Sequence, residues 1–244
     1  METERCMSWA TTHVGTVRTL NEDAWLSRPE LGMWAVADGA GGHAHGDRAS
    51  RAVIEALDSI PPHLPAGEML AEVRQKIAEA HAALRLSQDD ERPEISASTV
   101  VVLIARGDHY ACLWAGDSRC YLLRDGELLQ VTRDHSLVQE LVDAGAIMPD
   151  EADTHPNANV ITRAVGADGS LDLDKVSSRL ALGDRFLLCS DGLCKAVSDE
   201  DIAELLASPL PTERLVEAAL ANNGRDNVTA VAIEMLAVGD EPQD

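Results

Sequence analysis

The chain has 244 residues and a formal charge of −22, with 42 Asp and Glu against 20 Lys and Arg. Apolar residues make up 45%, enough for a core, so disorder is excluded as the default and one large domain or two small ones are expected. The acidity, with only four Trp, two Tyr and one Phe, excludes nucleic-acid binding, which needs cations for phosphates and rings for bases, and an anionic membrane surface would repel the chain.

In chain order, residues 1–12 hold one Arg and no apolar run, so no secretory leader is expected. No later stretch approaches the ~20 apolar residues of a membrane span. Residues 31–37 form a short apolar run that predicts a strand. Ala49, Ala52, Val53, Ala56, Leu57 and Ile60 recur at helical spacing, as do Leu70, Val73, Ile77, Ala80 and Leu84. The breaks at 61–65 and 88–93 read as loops around that second helix, not as domain boundaries. Strands are predicted over 98–105 and 111–115. Residues 120–123 and 127–131 flank Asp125-Gly126, a hairpin signal. A short helix is expected over 136–144 and a buried strand over 184–190. Ser198 with Asp201 resembles a capping box opening a helix to Ala207. Residues 212–222 are helical and stop near Gly224, and 227–235 closes as a strand. Strands come in groups with paired helices between them, so the expected class is α+β, with antiparallel sheets flanked by helices. A single domain over 1–240 is expected. The five cysteines are odd in number and contain no CxxC pair. That speaks against structural zinc and a disulfide framework, and for a reduced, cytoplasmic protein.

Most acidic residues read as solvated surface. Four do not. Asp38 ends the run Met33-Trp34-Ala35-Val36-Ala37, and Asp191 ends Phe186-Leu187-Leu188-Cys189-Ser190. Asp117 ends Cys112-Leu113-Trp114-Ala115-Gly116, and Asp226 precedes the last strand. A lone Asp at a strand end is usually a turn residue or a cap. Four that converge would repel one another by several kcal/mol per pair at ~4 Å, and would have to protonate or hold cations. Oxygen-only ligands favour hard ions, Mg²⁺ or Mn²⁺. Spacing alone leaves the convergence open.

With these residues in place the chain resembles the metal-dependent serine/threonine protein phosphatases of the 2C type, the PPM family, in their compact bacterial form. The resemblance starts at His13-Val14-Gly15-Thr16-Val17-Arg18 and Asn21-Glu22-Asp23-Ala24. It continues through Val36-Ala37-Asp38-Gly39-Ala40-Gly41-Gly42-His43, Gly116-Asp117-Ser118-Arg119, Arg133-Asp134-His135-Ser136 and Asn159-Val160-Ile161-Thr162-Arg163-Ala164-Val165-Gly166. It ends on Ser190-Asp191-Gly192-Leu193 and Gly224-Arg225-Asp226-Asn227-Val228-Thr229. All these motifs stand in family order.

The resemblance implies a four-layer α-β-β-α sandwich, with a mobile flap over about 133–170 beside the cleft. It implies two Mg²⁺ or Mn²⁺ ions bridged by Asp38. The Gly39 carbonyl would bind one of the two, and Asp191 and Asp226 would complete the site of the first ion. Glu22 and Asp23 would hold waters of the second ion, and Asp117 with Asp191 a weaker third. Arg18 would grip the substrate phosphate. A hydroxide bridging the metals would hydrolyse phosphoserine or phosphothreonine with no protein nucleophile, reversing a bacterial Ser/Thr kinase. Some family members place His directly after this Asp-Gly as a general-acid candidate. Here that position is Ala40, so the leaving-group proton is expected from a water on the third ion, near Asp117. The small size is also similar to phosphatases that accompany type VI secretion kinases and act on forkhead-associated scaffold proteins. A monomer is expected.

Two rival readings differ in class. His43-Ala44-His45-Gly46-Asp47 looks like the start of a zinc-hydrolase HxHxDH motif, but Arg48 stands where its last His belongs. A binding module with the same fold would have lost metal ligands, whereas Asp38, Asp191 and Asp226 are all present.

Overall fold

The computed structural model describes residues 6–41, 45–62, 64–87, 96–152, 154–167 and 169–236. The chain runs β1 (Cys6–His13), β2 (Asp23–Arg28), β3 (Met33–Ala40), α1 (His45–Asp58), α2 (Ala66–Leu86), β4 (Ala97–Ser98), β5 (Val100–Arg106), β6 (His109–Ala115), β7 (Arg119–Arg124) and β8 (Glu127–Gln130). It continues with α3 (Leu137–Asp143), β9 (Asp174–Arg179), β10 (Arg185–Cys189), α4 (Asp191–Cys194), α5 (Asp199–Leu206), α6 (Pro211–Ala221) and β11 (Val228–Met235). One sheet has the order β1-β11-β10-β7-β8 and the other β2-β3-β5-β6-β9, with β4 beside β3. Every strand pair is antiparallel.

Alternation along each strand sorts the core into three layers. Met33, Ala35, Ala37, Val100 and Val102 face α1 and α2. Trp34, Val36, Val101 and Leu103 face Phe186, Leu188, Val231 and Ile233 between the sheets. Leu187, Cys189, Ala230 and Ala232 face α4, α5 and α6. The four-layer α-β-β-α arrangement is therefore present, and the central strands read as unbroken apolar runs because both their faces are covered.

Several local expectations hold. Asp125 and Gly126 have φ of +53° and +82°, the doubly left-handed turn that closes the β7–β8 hairpin. The Ser198 hydroxyl accepts from the Asp201 N–H at 3.2 Å, although Asp201 returns its carboxylate to that hydroxyl rather than to a backbone N–H. Three strands were not expected. β9 is polar and β1 only half apolar, but β1 is zipped to β11 over eight residues and β9 to β6 over six. β2 pairs with β3 and carries Asp23. The strand expected over 31–37 starts at Met33, because residues 29–31 form a 3-10 turn, and it runs on to Ala40. Asp38 and Gly39 thus lie inside β3. The strand expected over 98–105 is split at Thr99 into β4 and β5. The loop expected at 88–93 and the His43 motif position lie outside the described residues. No described helix is long and apolar enough to cross a membrane.

Candidate active site

The β2–β3 register sets Asp23 directly opposite Asp38. The β6–β7 turn carries Asp117, the β10–α4 junction carries Asp191, and Asp226 stands two residues before β11. One end of the sandwich therefore gathers the carboxylates from both sheets.

Backbone bonds fix the Asp38 position. Its carbonyl accepts from the Thr99 N–H at 2.8 Å and the Ser98 hydroxyl at 3.0 Å, while its N–H donates to Thr99 Oγ1 at 3.0 Å. The next residue must be glycine. A Cβ on Gly39 would lie 2.1 Å from the Gly46 carbonyl oxygen, and one on Gly46 would lie 2.7 Å from Glu22 Oε1. This glycine-to-glycine contact is what brings Glu22 beside the end of β3.

Asn227 laces the loop that carries Arg18 and Glu22. Its Nδ2 donates to the carbonyls of Val14 and Leu20 at 2.9 and 3.0 Å, and its Oδ1 accepts from the Glu22 N–H at 2.8 Å. Asp23 is clamped on one side only. Its Oδ2 accepts from the hydroxyls of Ser190 and Thr229 at 2.8 and 2.7 Å, while its buried Oδ1 has no protein partner. Thr229 is backed by Thr12 at 2.7 Å, and Thr12 by the Asn21 amide at 2.8 Å.

The electrostatics record the convergence. Burial pushes the Asp38 carboxyl well above the usual range, and Asp23, Asp191, Asp117 and Asp226 push it further. Burial raises Asp23 to about 7 against the pull of its two hydroxyl donors. Burial and then Asp191 raise Asp117 to about 7. Two cations offset part of this charge. Arg18 Nη2 donates to Asp226 Oδ2 at 2.9 Å, and Lys195 Nζ donates to Asp191 Oδ2 at 2.6 Å and to Asn159 Oδ1 at 2.8 Å. Among the described residues no three Asp, Glu, His or Cys side chains are already drawn together as a ligand set. Asp191 and Asp226 instead each turn one oxygen to a cation. A pocket of about 420 Å³ opens at this edge, lined by Arg18, Asn159, Asp191, Lys195, Arg225 and Asp226 among others.

The all-oxygen donor set, the orphaned Asp23 oxygen and the mutual repulsion at Asp38 suit hard divalent cations, which would relieve all three. Asp38, the Gly39 carbonyl, Asp191, Asp226, Glu22 and Asp23 could hold them.

The segment after β8 is tied to this end of the sandwich. Ser98 bridges Val165, and Ser136 bridges Ile161. His135 stacks on Trp114 and accepts from the Gly116 N–H at 3.2 Å through Nδ1. The Asn159–Lys195 bond reaches the carboxylates directly. Sequence reasoning assigned no role to Lys195, Asn227, Ser190 or Thr229. Lys195 carried a readable signal, since it follows Asp191 at the i, i+4 spacing of a helical ion pair. The other three act through contacts across the fold.

The sequence profile of the protein phosphatase 2C family matches residues 12–228. The chain is 41% identical over 228 residues to the serine/threonine protein phosphatase PstP of Mycobacterium tuberculosis, covering 91% of this chain and 43% of that protein. It is 35% identical over 237 residues to the protein phosphatase PhpP of Streptococcus pneumoniae, covering 92% and 95%. Among solved structures, PppA, described as a key regulatory component of the type VI secretion system in Pseudomonas aeruginosa, superposes with a TM-score of 0.87 at 40% identity, covering 94% of this chain and 97% of that one. The PstP catalytic domain in complex with two manganese ions superposes with a TM-score of 0.81 at 37% identity, covering 95% and 99%. The chain belongs to the protein phosphatase 2C family. It spans less than half the length of the mycobacterial relative.

Proposed function

We propose that the protein is a divalent-metal-dependent phosphatase that removes phosphate from serine and threonine side chains of proteins. The observation that carries this reading is the convergence of Asp23, Asp117, Asp191 and Asp226 on Asp38, with Arg18 at the rim. Bound there, two divalent ions supply the Lewis acidity and water activation that phosphate-monoester hydrolysis demands.

The chain's own groups have distinct parts. Asp38, on which four neighbouring carboxylates act, would serve both ions, and the Gly39 carbonyl one of them. Asp191 and Asp226 would help hold one ion, and Glu22 with Asp23 the waters of the other. The Ser190 and Thr229 hydroxyls hold one Asp23 oxygen and leave the other free to orient solvent. Arg18 exchanges Asp226 for a substrate phosphate, to which its planar fork is matched. The segment over about 133–170 acts as a flap over the pocket.

Mg²⁺ or Mn²⁺ is the expected metal, and the manganese complex of the PstP catalytic domain supports this choice. The substrates are phosphoproteins of a Ser/Thr kinase in the cytoplasm. The likeness to PppA, described as a regulatory component of type VI secretion, supports a role in that system; a forkhead-associated scaffold among the targets and a monomeric enzyme belong to the same proposal and rest on the family resemblance alone. The test is hydrolysis of p-nitrophenyl phosphate with Mn²⁺, with chelator, and in Asp226→Ala. Turnover is expected only with metal and intact Asp226, and activity that survives chelator overturns the reading.

A further inference from the structure

Lys195 closes the four-residue helix α4, one turn from Asp191. Its ammonium is not free in solvent. Asp191 Oδ2 accepts from it at 2.6 Å, and Asn159 Oδ1 also accepts from it at 2.8 Å. Asp117, itself 6% exposed, lies within electrostatic reach of the same ammonium. Lys195 thus pairs with one of the two carboxylates that the family resemblance assigns to a weaker third ion and interacts electrostatically with the other.

We propose that Lys195 takes the place of the third metal ion, so that this protein works with two divalent ions and a tethered ammonium between Asp117 and Asp191. The inference rests on the two-metal reading above and goes beyond it by removing one ion. A covalently attached cation needs no capture from solution and meets its two carboxylates at high effective concentration. Charge count agrees. Glu22, Asp23, Asp38, Asp117, Asp191 and Asp226, all ionised, are balanced by two divalent ions together with Arg18 and Lys195. A third divalent ion would have to displace an ammonium already seated at hydrogen-bond distance. The arrangement also makes the flap part of the substitution, because Asn159 is the second partner that aims the ammonium. In the leaving-group step the positive charge near Asp117 is then that of Lys195, and the expected third-ion water is not required.

The test is Mn²⁺ titration by calorimetry of the full chain after chelator treatment, with bound metal counted after gel filtration. The wild type is expected to bind two ions. Lys195→Met is expected to gain a third, at least about tenfold tighter than any residual third event in the wild type. Lys195→Gln, which keeps a polar side chain, repeats the gain. Lys195→Arg retains the cation and stays at two, and Lys195→Met combined with Asp117→Asn returns to two. Three ions in the wild type, or two in both Lys195→Met and Lys195→Gln, overturn the inference while leaving the phosphatase reading intact. No Mn²⁺ uptake by any variant overturns both.

Discussion

Arg18 is paired with Asp226 and more than half exposed, so it can leave its partner without unfolding anything. Arg18→Ala is expected to raise KM for a phosphorylated substrate by about tenfold or more, with a smaller change in kcat, since charge-assisted bidentate bonds to phosphate are lost. Initial-rate kinetics check this, and an unchanged KM removes Arg18 from the site. Asp38→Ala is expected to abolish both turnover and Mn²⁺ binding, because Asp23, Asp117, Asp191 and Asp226 all act on its carboxyl. Cys189 is buried, and the half-buried Cys194 thiol donates to the Asp191 backbone carbonyl at 3.6 Å rather than to its carboxylate. Conversion of either to Ala is expected to leave metal binding intact.

At the scale of elements, the site depends on contacts between segments far apart in sequence. Asn227, 5% exposed, ties β11 to the loop over 14–22 through three hydrogen bonds. Asn227→Ala leaves the Glu22 N–H and two carbonyls without those partners, and is expected to cost about 1–3 kcal/mol. Urea unfolding reads the loss, and a variant as stable as wild type refutes the lacing role. Gly192 packs its α-carbon against the start of β11, where an added Cβ would lie 2.0 Å from the Asn227 carbonyl oxygen. Gly192→Ala is expected to displace α4, and with it Asp191 and Lys195, weakening Mn²⁺ binding in the same titration.

For the whole molecule, the −22 charge and the buried carboxyls act in the same direction. Asp23 and Asp117 rise from 3.8 to about 7 on folding, so the metal-free folded state binds more protons than the unfolded chain between those values. Stability of the chelated protein is therefore expected to fall as pH rises from about 4 to 7, and added Mn²⁺ to restore it with proton release. Thermal melts across pH, with and without metal, check the sign. A metal-free protein that gains stability over that window contradicts it. Beyond the pocket the acidic surface should favour phosphopeptides with basic flanks, and salt should shrink that preference. A peptide panel with no charge preference at low salt contradicts this.

The apolar runs at 33–37, 100–105, 186–189 and 228–235 and the helical spacing of α1 and α2 were legible because burial on both faces, or on one stripe, writes itself into residue order. The aspartates were legible as carboxylates abutting core strands, and the family motifs named them. The strands β1, only half apolar, and β9, polar, were not legible, since their stability comes from the neighbours they pair with rather than from their own composition. The extension of β3 through Asp38 depended on pairing with β2 and β4 in the same way. Sequence alone determined which residue types could serve a metal and a phosphate. Only the tertiary structure decided that Asp23 is held by Ser190 and Thr229, that Asn227 fastens the Arg18 loop, and that the Lys195 ammonium is held by Asp191 and Asn159. Those are distances between segments up to some two hundred residues apart, and hydrogen bonds of that reach leave no periodicity in the chain.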